Sequence, residues 1–332
     1  MNPDWKKFLS TQAAPVDEGT VTQEFISDLS HLSIIEITGQ DATEFLNGQF
    51  TSNIKQLAKH HLQFSAWCNP KGQVKTTFLI YRHESGFNVL LPNQLKEIFL
   101  KQLQMYIMRA DVQLTDNSEE LVRIGLTTEH ATILDALLEK TPEQQGDITL
   151  ENDLHCLQTF SSDNNATTSR YLLIGSPGRI KGLWESLAEQ LTTVGTSSWQ
   201  LLDIKAGYPW LSTTTAEKFL PQMLNLDLIN GLDYQKGCYP GQEIIARLNY
   251  RGQLKRSLYL STCSLDARPE IANQLYANDR ENSIGIVINA QVFEDKYYLL
   301  AVIEKESVEN HLSLREPDGP NISLLKLPYQ KE

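Results

Sequence analysis

The sequence predicts an α+β protein that closes with a small β-barrel, and three observations carry that expectation. Strand-like runs joined by a tight turn lead into an amphipathic helix in the first third of the chain. Strands and helices alternate through the middle. Beyond Arg251, short strand-like runs follow one another with turn residues between them and no convincing helix. A chain of 332 residues is too long for one ordinary core, so two or three packed units are expected. The expected divisions are residues 1–115, 116–250 and 251–332, with room for the first two to interleave.

The first strand candidate is the apolar run at residues 34–37. Asp41 follows Gly39 as a cap, and Glu44 stands three positions on, the spacing of a capping box for a short helix ending near Gly48. Residues 64–68 and 74–81 read as a hairpin. The turn between them, Asn69-Pro70-Lys71-Gly72, has Pro at its second position and Gly at its fourth, as suits type I. Residues 87–91 add a third strand. Leu95, Ile98, Phe99, Leu103 and Tyr106 then recur at helical spacing and should pack one face on that sheet. In the middle, strand candidates at residues 121–126, 156–160 and 171–175 alternate with helical stretches at 132–140 and 181–191. Residues 161–169 are Ser, Thr and Asn-rich and read as a loop. The terminal strands are expected at residues 258–263, 284–288, 297–303 and 312–315.

Composition narrows the function classes. The formal net charge is −12, with 41% hydrophobic and 21% charged residues. No dense Lys/Arg stripe tracks a phosphate backbone, so extended direct contact with nucleic acid is not expected. Lys6-Lys7 and the Arg251 to Arg256 cluster read as solvated. The first residues lack an apolar signal region, and no apolar run reaches the roughly 18 residues that span a bilayer. A cytoplasmic protein without membrane contact is the expectation. Cys68, Cys156, Cys238 and Cys263 form no C-x-x-C, which argues against a zinc knot or a disulfide scaffold, and no metal site is expected. His60-His61 has no partner at ligand spacing and reads as surface. Gly175-Ser176-Pro177-Gly178 lacks both the P-loop lysine and the dinucleotide spacing, and reads as a helix N-cap.

One segment concentrates chemistry. Lys236-Gly237-Cys238-Tyr239-Pro240-Gly241-Gln242-Glu243 packs two glycines, a proline, a cation and a thiol into eight residues ahead of the apolar Ile244-Ile245-Ala246. It reads as a tight loop feeding a helix with Pro240 at the first helical position, which sets Cys238 beside the free N–H groups of the helix start. There, with Lys236 near, the thiolate is favoured, and the thiolate is both the nucleophile and the metal-binding form. The alternative is a buried structural cysteine, the reading given to Cys68, Cys156 and Cys263 in or beside strands. Lys236 is either a thiolate partner or a solvated cation. Gln242 and Glu243 either cap the loop and the helix or, for Glu243, orient Cys238 or meet a ligand.

Residues 236–243, continued by Ala246-Arg247, Arg251-Gly252 and Lys255-Arg256, resemble the K-G-C-Y-x-G-Q-E signature of the YgfZ family, folate-binding proteins similar to the aminomethyltransferase of the glycine cleavage system. Gly48-Gln49-Phe50-Thr51-Ser52-Asn53, Asn69-Pro70-Lys71-Gly72, Ala206-Gly207-Tyr208-Pro209, and Phe219-Leu220-Pro221-Gln222 with Asn225-Leu226 agree with it. The resemblance implies an aminomethyltransferase-like three-domain fold, a central site for tetrahydrofolate or a derivative, and a role in assembling or repairing iron–sulfur clusters in selected enzymes. Through those enzymes the protein would support tRNA thiomethylation at one remove. It also implies that Trp199 stacks on the folate. A second folate-site tryptophan of the family aligns with Leu32, which offers apolar contact without π-stacking.

Two departures stand out. Where aminomethyltransferases carry a pair of aspartates after a turn like Asn69 to Gly72, this chain has Thr76 and Thr77, which cannot serve as carboxylate proton acceptors. Lys205 stands where a glutamate is common. A folate-binding accessory protein acting through Cys238 is therefore the expected function. A folate-dependent one-carbon transferase or demethylase is the alternative, and a folate-stabilised regulatory module is a third.

Overall fold

The computed structural model describes residues 1–16, 23–130, 132–151, 153–161, 168–264, 266, 268–277 and 280–330. Most of the loop expected at 161–169 lies outside the described residues. Two compact units divide the chain. The first holds Met1–Ala42, Leu57–Gln63 and Leu79–Trp199, and the second Thr43–Gln56, Phe64–Phe78 and Gln200–Glu332. Both units are discontinuous in sequence, and the terminal barrel belongs to the second.

In the first unit a six-stranded sheet runs in the order Thr192–Val194, Phe25–Asp28, Val122–Thr128, Ser169–Gly175, Leu154–Thr159, Ile148–Glu151. Helix Pro177–Ala188 covers one face with Ile180, Leu183, Trp184 and Leu187, on the i, i+3, i+4, i+7 row that a helix turns toward a core. Trp5, on the N-terminal helix Pro3–Leu9, meets Trp184 edge to face at 5.4 Å. The Ser176 hydroxyl accepts from Arg179 N and Pro177 opens the helix, so Gly175 to Gly178 is the N-cap its composition indicated. From Leu79, strand Val74–His83 pairs with Gly86–Pro92, which pairs with Leu32–Thr38, itself flanked by Gln113–Asp116.

Three local expectations change. In helix Lys96–Ile107 the inward row is Phe99, Leu103 and Ile107, continued at i+4 spacing from the N-cap Leu95, whereas Ile98 and Tyr106 are exposed. The helix expected at 132–140 stops at Asp135, because the amides of Glu139 and Lys140 donate to the Glu151 carboxylate instead of to helical carbonyls. Asp41 forms no capping box either. Its carboxylate accepts from Asp111 N, while Glu44 pairs with Lys55. Short strands such as Phe25–Asp28 and Thr192–Val194 carry too few residues to show a period.

The second unit ends in a closed barrel of order Arg256–Ser264, Lys296–Glu304, Gly285–Phe293, Gln274–Ala277, Leu312–Leu314, Asn321–Leu325. Closure removes the edges that short strands would leave unpaired. Leu275, Val287, Leu299, Ala301, Ile303 and Leu314 fill it. Residues 207–225 are tied to the barrel strands and the segment after them: Asn225 Nδ2 donates to Leu258 O, Asn289 Nδ2 donates to Trp210 O, and the Tyr329 hydroxyl donates to Gly207 O. The observed fold is α+β, with a closed C-terminal barrel.

Candidate functional site

Helix Gln242–Arg251 begins two residues later than the loop composition indicated. Gly241 is its N-cap at φ 80°, ψ 1°, and Gln242 N donates to Tyr239 O at 3.2 Å. Tyr239 to Gln242 is thus a turn of type II geometry, with Pro240 at its second position and glycine in the left-handed third. Pro240 shapes this turn instead of opening the helix, so Cys238 stands before the turn and not in the helix's first turn. Glycine is also required by space. A Cβ on Gly241 would lie 2.3 Å from Gly72 Cα, because the Asn69 to Gly72 turn presses against it. That second turn is closed by Gly72 N on Asn69 O and by Lys71 N on the Asn69 carboxamide.

Lys236 is neither solvated nor directed at a thiolate. It is 7% exposed, and its Nζ donates to Phe50 O at 2.6 Å and to Ser52 O at 2.7 Å. Burial pulls its pKa down to about 7, against the opposing pull of Asp233. Asp233 braces the same corner: its carboxylate accepts from Gln235 N, Lys236 N and Asn53 Nδ2, while its own amide donates to Thr51 O. The Thr51 hydroxyl donates to Gly231 O. Gln242 caps the loop by donating from Nε2 to Lys236 O, and Gln222 Nε2 donates to Ile245 O under the helix. Segments 48–53, 69–72 and 219–222 therefore converge on one eight-residue loop. Sequence flagged the segments, but the carbonyls of Phe50 and Ser52 are backbone atoms and leave no side-chain signature.

The four cysteines fall into two kinds. Cys68, Cys156 and Cys263 are buried in strands, and burial raises all three thiol pKa values, that of Cys263 to about 11. Cys238 is exposed, next to exposed Gly237 and ahead of Tyr239, whose ring is buried under the Lys236 ammonium at 5.1 Å. The Tyr239 hydroxyl is buried with no hydrogen-bond partner among the described residues. Glu243, Arg247 and Arg251 are exposed on the helix that follows.

The residues expected to meet a folate are placed differently. Trp199, in the first unit, is 2% exposed. The Arg170 guanidinium lies 4.3 Å from its ring centroid, and Gly125 sits so close that a Cβ there would be 2.3 Å from the indole. Leu32 is buried in its strand. In the second unit the Thr76 hydroxyl donates to Thr77 O and the Thr77 hydroxyl to Pro209 O. Lys205 stands over the rings of Phe293 and Tyr298 at 4.1 and 4.6 Å, a cation–π contact between its helix and the barrel. Among the described residues no group of His, Cys, Asp and Glu has the arrangement of a metal site.

Residues 14–146 match the GCVT N-terminal domain. A tRNA-modifying protein YgfZ from Colwellia psychrerythraea is 32% identical over 244 residues, which span 74% of this chain and 73% of that one. The chain belongs to the YgfZ family. Other YgfZ proteins, from Enterobacter sp. strain 638 and Escherichia coli SMS-3-5, are 27% and 26% identical, over 96% and 92% of this chain and 97% and 93% of their own lengths. The glycine cleavage system aminomethyltransferase T of Bartonella henselae superposes with a TM-score of 0.76 at 17% identity, covering 98% of this chain and 89% of that one, a likeness of fold. Among the described residues no helix is long and apolar enough to cross a membrane.

Proposed function

We propose that this YgfZ protein is a cytoplasmic accessory protein of tRNA modification that presents the Cys238 thiol to iron–sulfur enzymes. Acting there, it assembles or repairs their clusters and so supports tRNA thiomethylation. The observation that carries this is the contrast within one loop. Lys236 is buried and tied to two carbonyls, while Cys238, two residues on, is held in the open. Burying the Lys236 amine is costly, and its two bonds to backbone carbonyls fix the loop that holds Cys238 in the open. A thiol presented in this way is placed to ligate iron or to attack a sulfur species as the thiolate. Lys236 acts as a positioning residue for it, and the cluster or sulfur is the substrate. The names of the relatives support the link to tRNA modification.

A folate ligand belongs to the same proposal and is supported by the likeness to an aminomethyltransferase. The side chains expected to hold it do not fit as they stand. Trp199 has no free face, Leu32 is core, and Glu243 points from an exposed helical turn. A one-carbon transferase is disfavoured because Thr76 and Thr77 supply no carboxylate and their hydroxyls are engaged on backbone carbonyls.

The test is complementation of a bacterium lacking its own homologue, scoring thiomethylated tRNA. Cys238→Ser should leave the tRNA at the level of the deletion strain with an unchanged melting temperature. Rescue equal to wild type would remove the thiol from the function. Calorimetric titration with tetrahydrofolate, followed by an assay for formaldehyde, checks the ligand. Binding without turnover is expected, and turnover would favour the transferase.

A further inference from the structure

The helix behind the thiol carries an unpaired face. On Gln242–Arg251 only Ile245 is buried, whereas Glu243, Ile244, Arg247, Tyr250 and Arg251 are exposed, Ile244 by 43% and Tyr250 by 70%. These positions lie within one stripe, three and four residues to either side of Arg247, on the side opposite Ile245. Arg247 and Arg251 form no ion pair among the described residues. Two free guanidiniums beside an exposed aromatic ring and an exposed Ile are an unusual surface for a chain of net charge −12.

We infer that this face is the docking surface for the protein on which Cys238 acts, and that it fits an acidic, partly apolar patch of that partner. The inference rests on the proposed role of the Cys238 loop and names the kind of partner it takes. Arg and Tyr are the residue types that anchor protein interfaces, with the guanidinium pairing to carboxylates in a planar fork. The helix starts three residues after Tyr239 in the same rigid cradle, so a partner seated on it brings its surface to the thiol. An RNA occupant is a poorer fit. Two free arginines are too few to follow a phosphate backbone, Glu243 stands at the thiol end of the stripe, and the chain's overall charge repels a polyanion.

The experiment uses the full chain in the complementation strain. Arg247→Glu with Arg251→Glu should lower thiomethylated tRNA at least about tenfold. The melting temperature and the rate of Cys238 alkylation by iodoacetamide should stay at wild-type values, and Arg247→Lys with Arg251→Lys should restore part of the activity, since lysine keeps the charge but not the planar fork. A photo-cross-linking residue at Ile244 should yield an adduct with an iron–sulfur protein that the charge reversal abolishes, whereas the same residue at exposed Met105 should not. Full activity of the charge reversal would overturn the inference. So would an Ile244 adduct with tRNA or with a second copy of this chain. If charge reversal is harmless while Cys238→Ser is inactive, the docking surface fails and the thiol stands. If Cys238→Ser is active, the thiol reading itself fails.

Discussion

Around Trp199 the packing closes on the ring, with the Arg170 guanidinium over the indole and Gly125 against it, whose missing side chain makes the room. Around Cys238 the neighbours are just as tightly packed, yet the thiol is left outside: Lys236, Tyr239 and Gly241 go in so that residue 238 stays out. The first arrangement is that of a core, where dense packing and a guanidinium stacked on an indole stabilise the fold. The second places a buried lysine, costly in itself, two residues before an exposed thiol. The lysine's two bonds to backbone carbonyls tie down the loop that carries the exposed thiol.

The sharpest way to break the second arrangement is Gly241→Ala. The substitution adds a Cβ 2.3 Å from Gly72 Cα at a φ of 80°, and the atoms it meets are backbone with no rotamer to yield. Loss of about 3 kcal/mol or more in unfolding free energy is expected from left-handed strain and overpacking together. Urea denaturation measures it, and a loss below about 1 kcal/mol would mean that the two turns do not bear on each other.

Gly125→Ala attacks the first arrangement and should spare the second. The new methyl meets the Trp199 ring at 2.3 Å, a side chain that can shift a little, so about 2 kcal/mol is expected, with altered tryptophan fluorescence. Alkylation of Cys238 in the native protein should keep its wild-type rate. A change in that rate would show that the thiol depends on the packing of Trp199.

The contrast also explains what could be seen in the sequence. The hairpin, the meander and the terminal barrel were legible because strand period, turn residues and burial all agree there, as in the run from Val74 through Gly86–Pro92. The loop was legible because glycine, proline and cysteine each carry a local meaning. Its mechanics were not, because they lie in the backbone: a lysine 180 or more positions away in sequence from Phe50 and Ser52 donates to their carbonyls. The closure of Trp199 was equally hidden, since a glycine in a strand and an arginine in another give no sign that both face one indole. Helix 132–140 failed for a related reason, a remote carboxylate on Glu151 competing for its amides.

The smallest expected effect separates the two regions by pH. Lys236 has a native pKa of about 7, lowered by burial, so above that pH the unfolded chain binds one proton more than the native state until the lysine's ordinary range is reached. Unfolding free energy must therefore rise with pH through this window, on the order of 2 kcal/mol between pH 7 and 9, and Lys236→Met should remove that slope. In the first unit His155 is held near 4, chiefly by burial and then by His83, with its Nδ1 at 2.8 Å from the Tyr81 hydroxyl. Its neutral form is the native one. Here the unfolded chain binds the extra proton between about 4 and 6.5, so this contribution is present above 6.5 and is lost as the pH falls. His155→Gln, which keeps a partner for Tyr81, should flatten only the acid window, and by less, because His155 is partly exposed. Urea titrations of the two variants across pH 4.5 to 9.5 measure both slopes. If each variant changes the slope only in its own window, the buried lysine of the thiol loop and the histidine act independently, and a change in slope on Lys236→Met below about pH 6 would contradict that division.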